Sequence, residues 1–310
     1  MKPSVPEWRL WLRRLSPYVV AASVVAAILR KYPVTEIVTE MRLGHARWVF
    51  PLALALELVV WPAYAAYDRV VLVNAIGPIR YGDVLRAKAA TAVLLTLGYL
   101  FGGGGYVLWI VRKTGTRTVR AAGAVLYVMA SDLVAVCAIA GVSMWFGRIE
   151  VPHVLRTIAT AIFGVQVLLI LAGPYAARGR PIPLFDPWSR VPRSWGLAQI
   201  GGRAANIAAI CAFTWAAARA FGIDLPLGAM GMYMPIILLV SSLPFSVAGF
   251  GAAQAAWLLL LPWASGPRIL AFQTLWQLST GAGFILRGLP FIRRVVAEID
   301  AGSPVPDEGG

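Results

Sequence analysis

The chain has too little charge for a soluble protein of its length. Only 14 % of its 310 residues are Asp, Glu, Lys or Arg, whereas soluble domains average about 25 %. This shortage excludes an ordinary soluble enzyme, a coiled coil and a disordered chain. Instead, 59 % of the residues are hydrophobic and the mean hydropathy is +0.72. The apolar runs are rich in Ala, Leu and Val and lack strand-like alternation, so the sequence predicts an all-α, polytopic membrane helical bundle.

Cysteine and histidine are also scarce. Cys137 and Cys211 lie inside apolar runs, and His45 and His153 lie in short loops, so we expect neither a disulfide nor a zinc site. The sequence contains no Gly-x-x-x-x-Gly-Lys loop for nucleotide phosphates and no Asp-x-Asp pair for a metal ion. We therefore expect no cofactor, no metal and no enzymatic activity.

Apolar stretches set the domain organisation. They cover residues 17–29, 48–67, 89–111, 121–146, 157–175, 204–218, 225–267 and 269–286. They predict a bundle over residues 16–295, preceded by a basic N-terminus at 1–15 and followed by a disordered acidic tail at 296–310. Residues 1–27 also have the order of a signal peptide, basic and then apolar, so their cleavage stays open. A retained first helix is favoured because the bundle is so apolar.

The net charge of +14 has a topological explanation. Twenty of the 28 basic residues fall in five segments, at 1–15, 68–88, 112–120, 176–203 and 287–310. An excess of Lys and Arg marks the cytoplasmic side of a membrane protein. This distribution predicts an inner-membrane protein with both termini cytoplasmic, and it makes anionic lipid, rather than nucleic acid, the expected partner.

Two of the apolar stretches are interrupted. In the element at 89–111, a helix over Ala89–Phe101 is expected to end at four consecutive glycines. This helix would be about 20 Å long, too short to cross about 30 Å of hydrocarbon. The element at 229–262 contains breaks at Pro235, Pro244, Gly249, Gly251 and Pro262. The charge distribution predicts that the two elements are re-entrant from opposite faces, in an inverted arrangement around a site near the midplane. The alternative is two plain spans with glycine packing contacts.

Two motifs carry a family resemblance. Leu243–Gln254 reads LPFSVAGFGAAQ, Tyr99–Tyr106 reads YLFGGGGY, and Val111–Gly115 reads VRKTG. These resemble the LPxSxGGxGxRE and LLPGxxG…RRxTG elements of the lysylphosphatidylglycerol synthase membrane-domain (flippase-like) family. The resemblance covers roughly residues 15–295. It implies a stand-alone membrane half without the soluble transferase domain.

The chain departs from that family at its charged positions. Phe101 replaces the proline of the first motif, and Ala253-Gln254 replaces the Arg-Glu pair of the second. Gln277 stands where an Arg is expected in the last span, and Asp132 lacks the Glu-Arg that precedes it in relatives. The resemblance thus leaves Glu57 and Asp132 as the only buried carboxylates to explain.

Candidate site residues follow from these patterns. Glu57 and Asp132 lie within apolar spans, where a carboxylate serves a proton or head-group site or a structural hydrogen bond. Backbone N–H groups at glycine breaks and a polar stripe on the last helix could bind a phosphorylated lipid. The lipid-binding candidates are Gly102, Gly103, Gly104, Gly105, Pro244, Ser246, Gly249, Gly251, Gln254, Gln273 and Gln277, with Thr280 completing the stripe. The expected head-group funnel is Arg112, Lys113, Arg117 and Arg120, unless these residues serve topology alone.

These observations leave three functional hypotheses. The first is a flippase-like protein that moves an anionic phospholipid or a polyprenyl-phosphate-linked lipid between leaflets. The second is a non-transporting membrane adaptor for a lipid-modifying or glycosyl-transferring enzyme, with that enzyme as a partner. The third and least favoured is a membrane enzyme. Whether the chain also pairs with itself as a homo-oligomer is left open.

Overall fold

The chain folds into a bundle of helices. The computed structural model describes residues 7–43, 46–96, 99–146, 183–241, 246–247 and 250–301, with four single positions between 157 and 164. The helices in these ranges are α1 (Glu7–Lys31), α2 (Val34–Leu43), α3 (Val49–Ala75), α4 (Tyr81–Leu95), α5 (Tyr99–Thr114), α6 (Thr118–Phe146), α7 (Asp186–Arg190), α8 (Arg193–Ala220), α9 (Leu227–Ser241), α10 (Ala252–Trp257) and α11 (Gly266–Asp300). Short 3-10 turns lie at Ala46–Trp48, Pro183–Phe185 and Leu258–Leu260. The all-α prediction is confirmed.

Three helices in the described ranges are long and apolar enough to cross a membrane. They are Ala46–Ala75, Thr118–Trp145 and Gly266–Asp300, and the shorter α9 is also apolar. Large hydrophobic side chains such as Leu58, Val142 and Leu286 lie exposed on these helices. The length and composition of the helices are those of a membrane-embedded protein, because an exposed apolar surface of this kind is stable in lipid rather than in water.

Side-chain contacts gather several helix ends at one end of the bundle, here called the basic end. Arg120, at the start of α6, donates from Nη2 to the carbonyl of Ala75 at the end of α3 (2.7 Å) and pairs with Asp186 of α7 (3.1 Å). Lys113, at the end of α5, lies 3.4 Å from Glu298 near the end of α11. Four of the five basic segments, at 68–88, 112–120, 176–203 and 287–310, therefore have residues at this end of the molecule.

The first interrupted element is a helical hairpin. Helices α4 and α5 pack together, and Lys113 Nζ lies 3.7 Å from Asp83 at the start of α4, so the chain returns to the end from which it left. The prediction that the glycine run Gly102–Gly105 ends a helix was wrong, because these glycines lie inside α5 and the preceding helix ends at Leu95. Helix α5 ends instead at Gly115, whose φ of 67° requires glycine.

The second interrupted element lies between α9 and α11. After Ser241, two short antiparallel strands, β1 (Ser246–Val247) and β2 (Phe250–Gly251), lead into α10. Ring contacts between Phe221 and Phe272 (5.7 Å) bring the start of α11 to the end of α8. The start of α9 lies there too, because Trp215 Nε1 donates to the carbonyl of Leu225 (2.9 Å). The chain between α8 and α11 therefore leaves from and returns to the end opposite the basic end.

Two large apolar clusters form most of the core, and α3 contributes to both. Residues 49–60 of α3 pack with α8, α9, α10 and the first half of α11, around Phe272. Residues 65–75 pack with α4, α5 and α6 around Trp109. Helix α1 packs on the two strands and α10; it begins at Glu7, inside the segment predicted as an N-terminal extension. Helix α11 continues to Asp300, beyond the predicted end of the bundle at residue 295.

Candidate functional site

An arginine lies fully buried among three helices. Arg203 of α8 has a relative exposure of 0 %. Its Nη2 donates to Asp68 Oδ1 of α3, and its Nη1 donates to both oxygens of Asp132 of α6 at 3.0 and 3.2 Å. The guanidinium therefore bridges two carboxylates, with Nη2 on Asp68 and Nη1 shared between the two oxygens of Asp132.

A second cation completes the cluster. Lys88 Nζ of α4 lies 2.7 Å from Asp68 Oδ2, so Asp68 is held by both cations. The cluster of Asp68, Lys88, Asp132 and Arg203, here called the Arg203 cluster, contains two positive and two negative groups and has no formal net charge. This balance matters because burial of an unpaired charge carries a large free-energy penalty.

Aromatic rings surround these charges. The guanidinium of Arg203 lies 4.3 Å from the ring centroid of Tyr64 on α3. The ammonium of Lys88 lies 5.1 Å from the ring of Tyr106 on α5. When the side-chain amide of Gln199 is turned so that its nitrogen donates to the carbonyl of Tyr67 (2.9 Å), its oxygen accepts from Arg203 Nε (3.2 Å). Both cations thus have polar partners and an aromatic face.

A second ion pair lies between α3 and α11. Arg287 Nη1 donates to Glu57 Oε2, and the guanidinium lies 4.8 Å from the ring of Phe284 and 5.8 Å from the ring of Trp61. A Cβ at Gly283 would lie 3.1 Å from the Glu57 side chain, so the small residue lets the carboxylate approach α11. We call Glu57 with Arg287 the Arg287 pair.

The two predicted carboxylates are both partners of arginines, with Glu57 buried and Asp132 half-buried, but a third carboxylate was missed. Asp68 is more buried than either, with 0 % exposure, so the statement that Glu57 and Asp132 are the only buried carboxylates was wrong. Asp68, Lys88 and Arg203 lie at the edges of segments that the charge count assigned to loops, whereas the structure places them inside helices. The sequence did contain one signal for a buried polar site. Gln199, Arg203 and Asn206 are spaced four and three residues apart, so these polar side chains share one face of a helix.

The glycine run of α5 has two different faces. Added Cβ atoms at Gly102 and Gly105 would collide with Leu95 and Leu94 of α4, so these glycines allow close helix packing. Added Cβ atoms at Gly103 and Gly104 would meet nothing within 4 Å. These two positions line an open apolar groove of about 260 Å³ between α5 and α6, together with Val107, Ala122, Val125, Leu126, Met129 and Leu184.

The four residues of the predicted funnel differ in their contacts. Lys113 and Arg120 are engaged in ion pairs with Glu298 and Asp186. Arg117 is exposed in the connection between α5 and α6. Arg112 is half-buried, and its Nε has no hydrogen-bond partner in the described part of the chain. The funnel stays a prediction, for which Arg112 and Arg117 remain the residues with unengaged groups.

The second motif is described only in part. Pro244 and Gly249 lie outside the described residues; Ser246 lies in β1, and Gly251 precedes α10 with a φ of 91°. Gln254 of α10 is buried, and its Oε1 has no hydrogen-bond partner among the described residues. Gln273 is buried and Gln277 half-buried on one face of α11, and Thr280 donates to backbone carbonyls of its own helix. In the described part of the chain, no contact joins Gln254, Gln277 or Thr280 to the Arg203 cluster.

Comparison with known proteins adds no assignment. No protein-family model matches the chain, and no curated protein is similar to it at a significant level. The likeness to the lysylphosphatidylglycerol synthase membrane domain therefore depends on the two motifs alone.

Proposed function

We propose that the protein is a multi-pass inner-membrane protein that binds an anionic lipid head group at the Arg203 cluster and moves the lipid between leaflets. The observation that carries the proposal is a fully buried arginine joined to two carboxylates from two other helices. Ionised groups inside a membrane bundle are rare and commonly belong to substrate or ion pathways. The basic end is assigned to the cytoplasm because of its excess of Lys and Arg.

Chemistry favours a phosphate group as the ligand. A phosphate oxygen accepts from a guanidinium N–H as a carboxylate oxygen does, so a head group can replace Asp132 at Arg203 Nη1 while Asp68 keeps Nη2. Asp132 is the exchangeable partner because its side chain is 22 % exposed, whereas that of Asp68 is 0 % exposed. Lys88, with 26 % exposure, lies on the far side of Asp68 and adds a second positive charge.

The groove between α5 and α6 suits the lipid tail. It is lined by apolar residues from Ala122 to Met129, which span about 10 Å along α6. Arg117 lies just before α6, where the head group of a lipid in the cytoplasmic leaflet would meet it. In this arrangement the lipid docks with its tail in the groove and its head group at the basic end before entering the bundle.

The two interrupted elements fit the same proposal. The α4–α5 hairpin opens toward the basic end and the segment from α9 to α10 opens toward the opposite end, which is the arrangement expected of re-entrant elements in inverted halves. The family resemblance, on its motifs, implies the same class of lipid translocation.

Reconstitution tests the proposal. We expect vesicles of phosphatidylcholine and phosphatidylglycerol that contain the protein to exchange acyl-labelled phosphatidylglycerol between leaflets, as measured by dithionite bleaching. Arg203→Lys keeps the charge but loses the fork, and we expect a fall of about tenfold in rate. Arg219→Lys, at an exposed pair with Asp224, is the matched control and should leave the rate unchanged.

Two results would contradict the proposal. Equal rates in protein-containing and empty vesicles, with no thermal stabilisation by phosphatidylglycerol, would exclude both binding and transport. Stabilisation by phosphatidylglycerol without exchange would instead support the non-transporting adaptor.

A further inference from the structure

Asp132 lies at the centre of a candidate membrane span. It is the middle residue of α6 (Thr118–Phe146), about 21 Å along the helix axis from either end. The helix is longer than the hydrocarbon thickness of about 30 Å, so this position is near the middle of the membrane when α6 crosses it. Net charge is most costly at this depth, and the charge balance of the Arg203 cluster therefore limits what can bind there.

The cluster is balanced only while no ligand is bound. Arg203 and Lys88 are positive, Asp68 and Asp132 are negative, and these are the charges that act on Asp132 among the described residues. A phosphodiester head group that replaces Asp132 at Arg203 Nη1 adds one negative charge. With every group ionised, the occupied cluster would have one net negative charge at the centre of the bundle, which a low-dielectric interior disfavours.

In the described part of the chain, the other helices that pack on α6 bring no further cation to the cluster. Tyr106 of α5 faces the ammonium of Lys88 (5.1 Å) and is neutral. The single titratable side chain of α9 is Tyr233, whose ring lies 5.8 Å from that of Trp263. The charged side chains of α7 pair with each other and with the start of α6 at the basic end, around Asp186. The added negative charge is therefore left without a cation.

Of the two carboxylates in the cluster, Asp132 is the one that a proton can neutralise. Asp68 is held by a different cation at each oxygen, and its side chain is 0 % exposed. Asp132 shares a single guanidinium nitrogen between its two oxygens, and its side chain is 22 % exposed. Once a phosphate oxygen takes that nitrogen, Asp132 has no cation partner, and a bound proton restores the balance of the cluster.

A buried donor next to the arginine is available for the incoming group. Asn206 follows Arg203 by three residues on α8, which places the two side chains on the same face of the helix. Asn206 is 6 % exposed, and its Nδ2 has no hydrogen-bond partner in the described ranges. A buried amide donor without a partner is costly, and a phosphodiester has two unesterified oxygens with which to satisfy both residues.

We propose that Asp132 is a proton-binding site and that one proton is taken up with each phosphodiester head group. The carboxylate of Asp132 leaves Arg203 Nη1 and binds a proton from water, and a phosphodiester oxygen accepts from Nη1 in its place. The O–H bond of the carboxyl group is the only covalent bond formed. The empty and the occupied cluster are then both neutral. The inference rests on the proposed function and adds the coupled ion, because the lipid moves together with a proton.

The pH dependence of lipid binding tests this coupling. Uptake of one proton with each lipid raises the Kd of phosphatidylglycerol about tenfold per pH unit, and we expect this slope between about pH 6 and pH 8. The phosphodiester of phosphatidylglycerol stays ionised over that range and contributes no slope of its own. Thermal stabilisation of the detergent-solubilised protein at increasing concentrations of phosphatidylglycerol gives the Kd at each pH.

Substitutions at Asp132 assign the proton to this residue. Asp132→Asn keeps the size of the side chain but has no titratable group, so its Kd should be independent of pH. Asp132→Glu restores a carboxyl group and should restore the slope, which a purely structural role of the residue would not. A slope that survives in Asp132→Asn, or that is absent from both variants, would overturn the assignment.

The matched control removes another carboxylate that pairs with an arginine. Glu40 of α2 accepts from Arg268 at 2.8 Å, and its side chain is 21 % exposed, close to the 22 % of Asp132. Glu40→Gln should keep the slope of the unmodified protein. Loss of the slope in this control as well would overturn the assignment to Asp132, since it would show that the slope depends on carboxylates in general.

Calorimetry of the unmodified protein counts the protons without any variant. Titration with phosphatidylglycerol in buffers of different ionisation enthalpy should show the uptake of about one proton per lipid bound. Binding without proton uptake would overturn the coupling while leaving the proposed function intact. Absence of both binding and exchange at every pH would instead contradict the proposed function itself.

Discussion

Two parts of this molecule use the same charge pattern in opposite surroundings. Arg203 bridges Asp68 and Asp132 inside the bundle, and Lys113 bridges Asp83 and Glu298 at the basic end. Each is one cation between two carboxylates on two other helices. The side chain of Arg203 is 1 % exposed and that of Lys113 is 33 % exposed. The comparison teaches that the position of a charge pattern, rather than its composition, decides its role.

Solvent accounts for the difference. Two unit charges 4 Å apart interact by about 1 kcal/mol in water and about 4 kcal/mol near a protein surface, and more strongly in a dry interior. The desolvation penalty rises in the same direction, so a buried pair costs much to break but adds little net stability. The cluster inside the bundle therefore adds little net stability, and in the proposed function one of its partners is exchanged for a head group. The ion pairs of Lys113 at the basic end are suited to holding helix ends together.

Removal of the buried cation should give the largest effect. Arg203→Met leaves Asp68 and Asp132 facing each other with only Lys88 nearby, and we expect a loss of about 3–5 kcal/mol in the free energy of unfolding. Unfolding in detergent, followed by circular dichroism, measures this loss. Arg219→Met, at an exposed pair, is the control. A loss below about 1 kcal/mol, the range of a surface pair, would show that the cluster is solvated and that the comparison fails.

The two carboxylates of the Arg203 cluster should differ from each other. Asp68 contacts both cations and is fully buried, so Asp68→Asn should cost about 2–3 kcal/mol. Asp132 contacts Arg203 alone and is partly exposed, so Asp132→Asn should cost about 1 kcal/mol. The same unfolding measurement ranks them. The reverse order would mean that Asp132 is the structural anchor, and it would remove the basis for treating it as the exchangeable partner.

The sequence was sufficient for the helical class but not for the partners or for the exact helix breaks, since Gly102–Gly105 lie inside α5 and Pro235 lies inside α9. Runs of Ala, Leu and Val are enough to predict apolar helices, because composition is a local property. Local clusters of Lys and Arg are likewise enough to predict which segments lie at the basic end. The pairing of Asp68 with Arg203 joins positions 135 residues apart, and no local pattern encodes it. The glycine run misled for a physical reason. Glycines end a helix in water, yet in a tightly packed hairpin two of them make room for Leu94 and Leu95 while the helix continues.

The weakest effect should be at the basic end. Lys113→Gln removes contacts of 3.4 and 3.7 Å to Glu298 and Asp83, yet Trp109 Nε1 still donates to Glu298 (3.2 Å) and Arg86 still pairs with Asp83. We expect a loss of about 0–1 kcal/mol at low salt. About 1 M salt shortens the screening length to about 3 Å and should erase this loss, whereas the loss caused by Arg203→Met should persist because salt does not enter the bundle. Equal salt sensitivity of the two variants would contradict the distinction, since it would place both cations within reach of solvent.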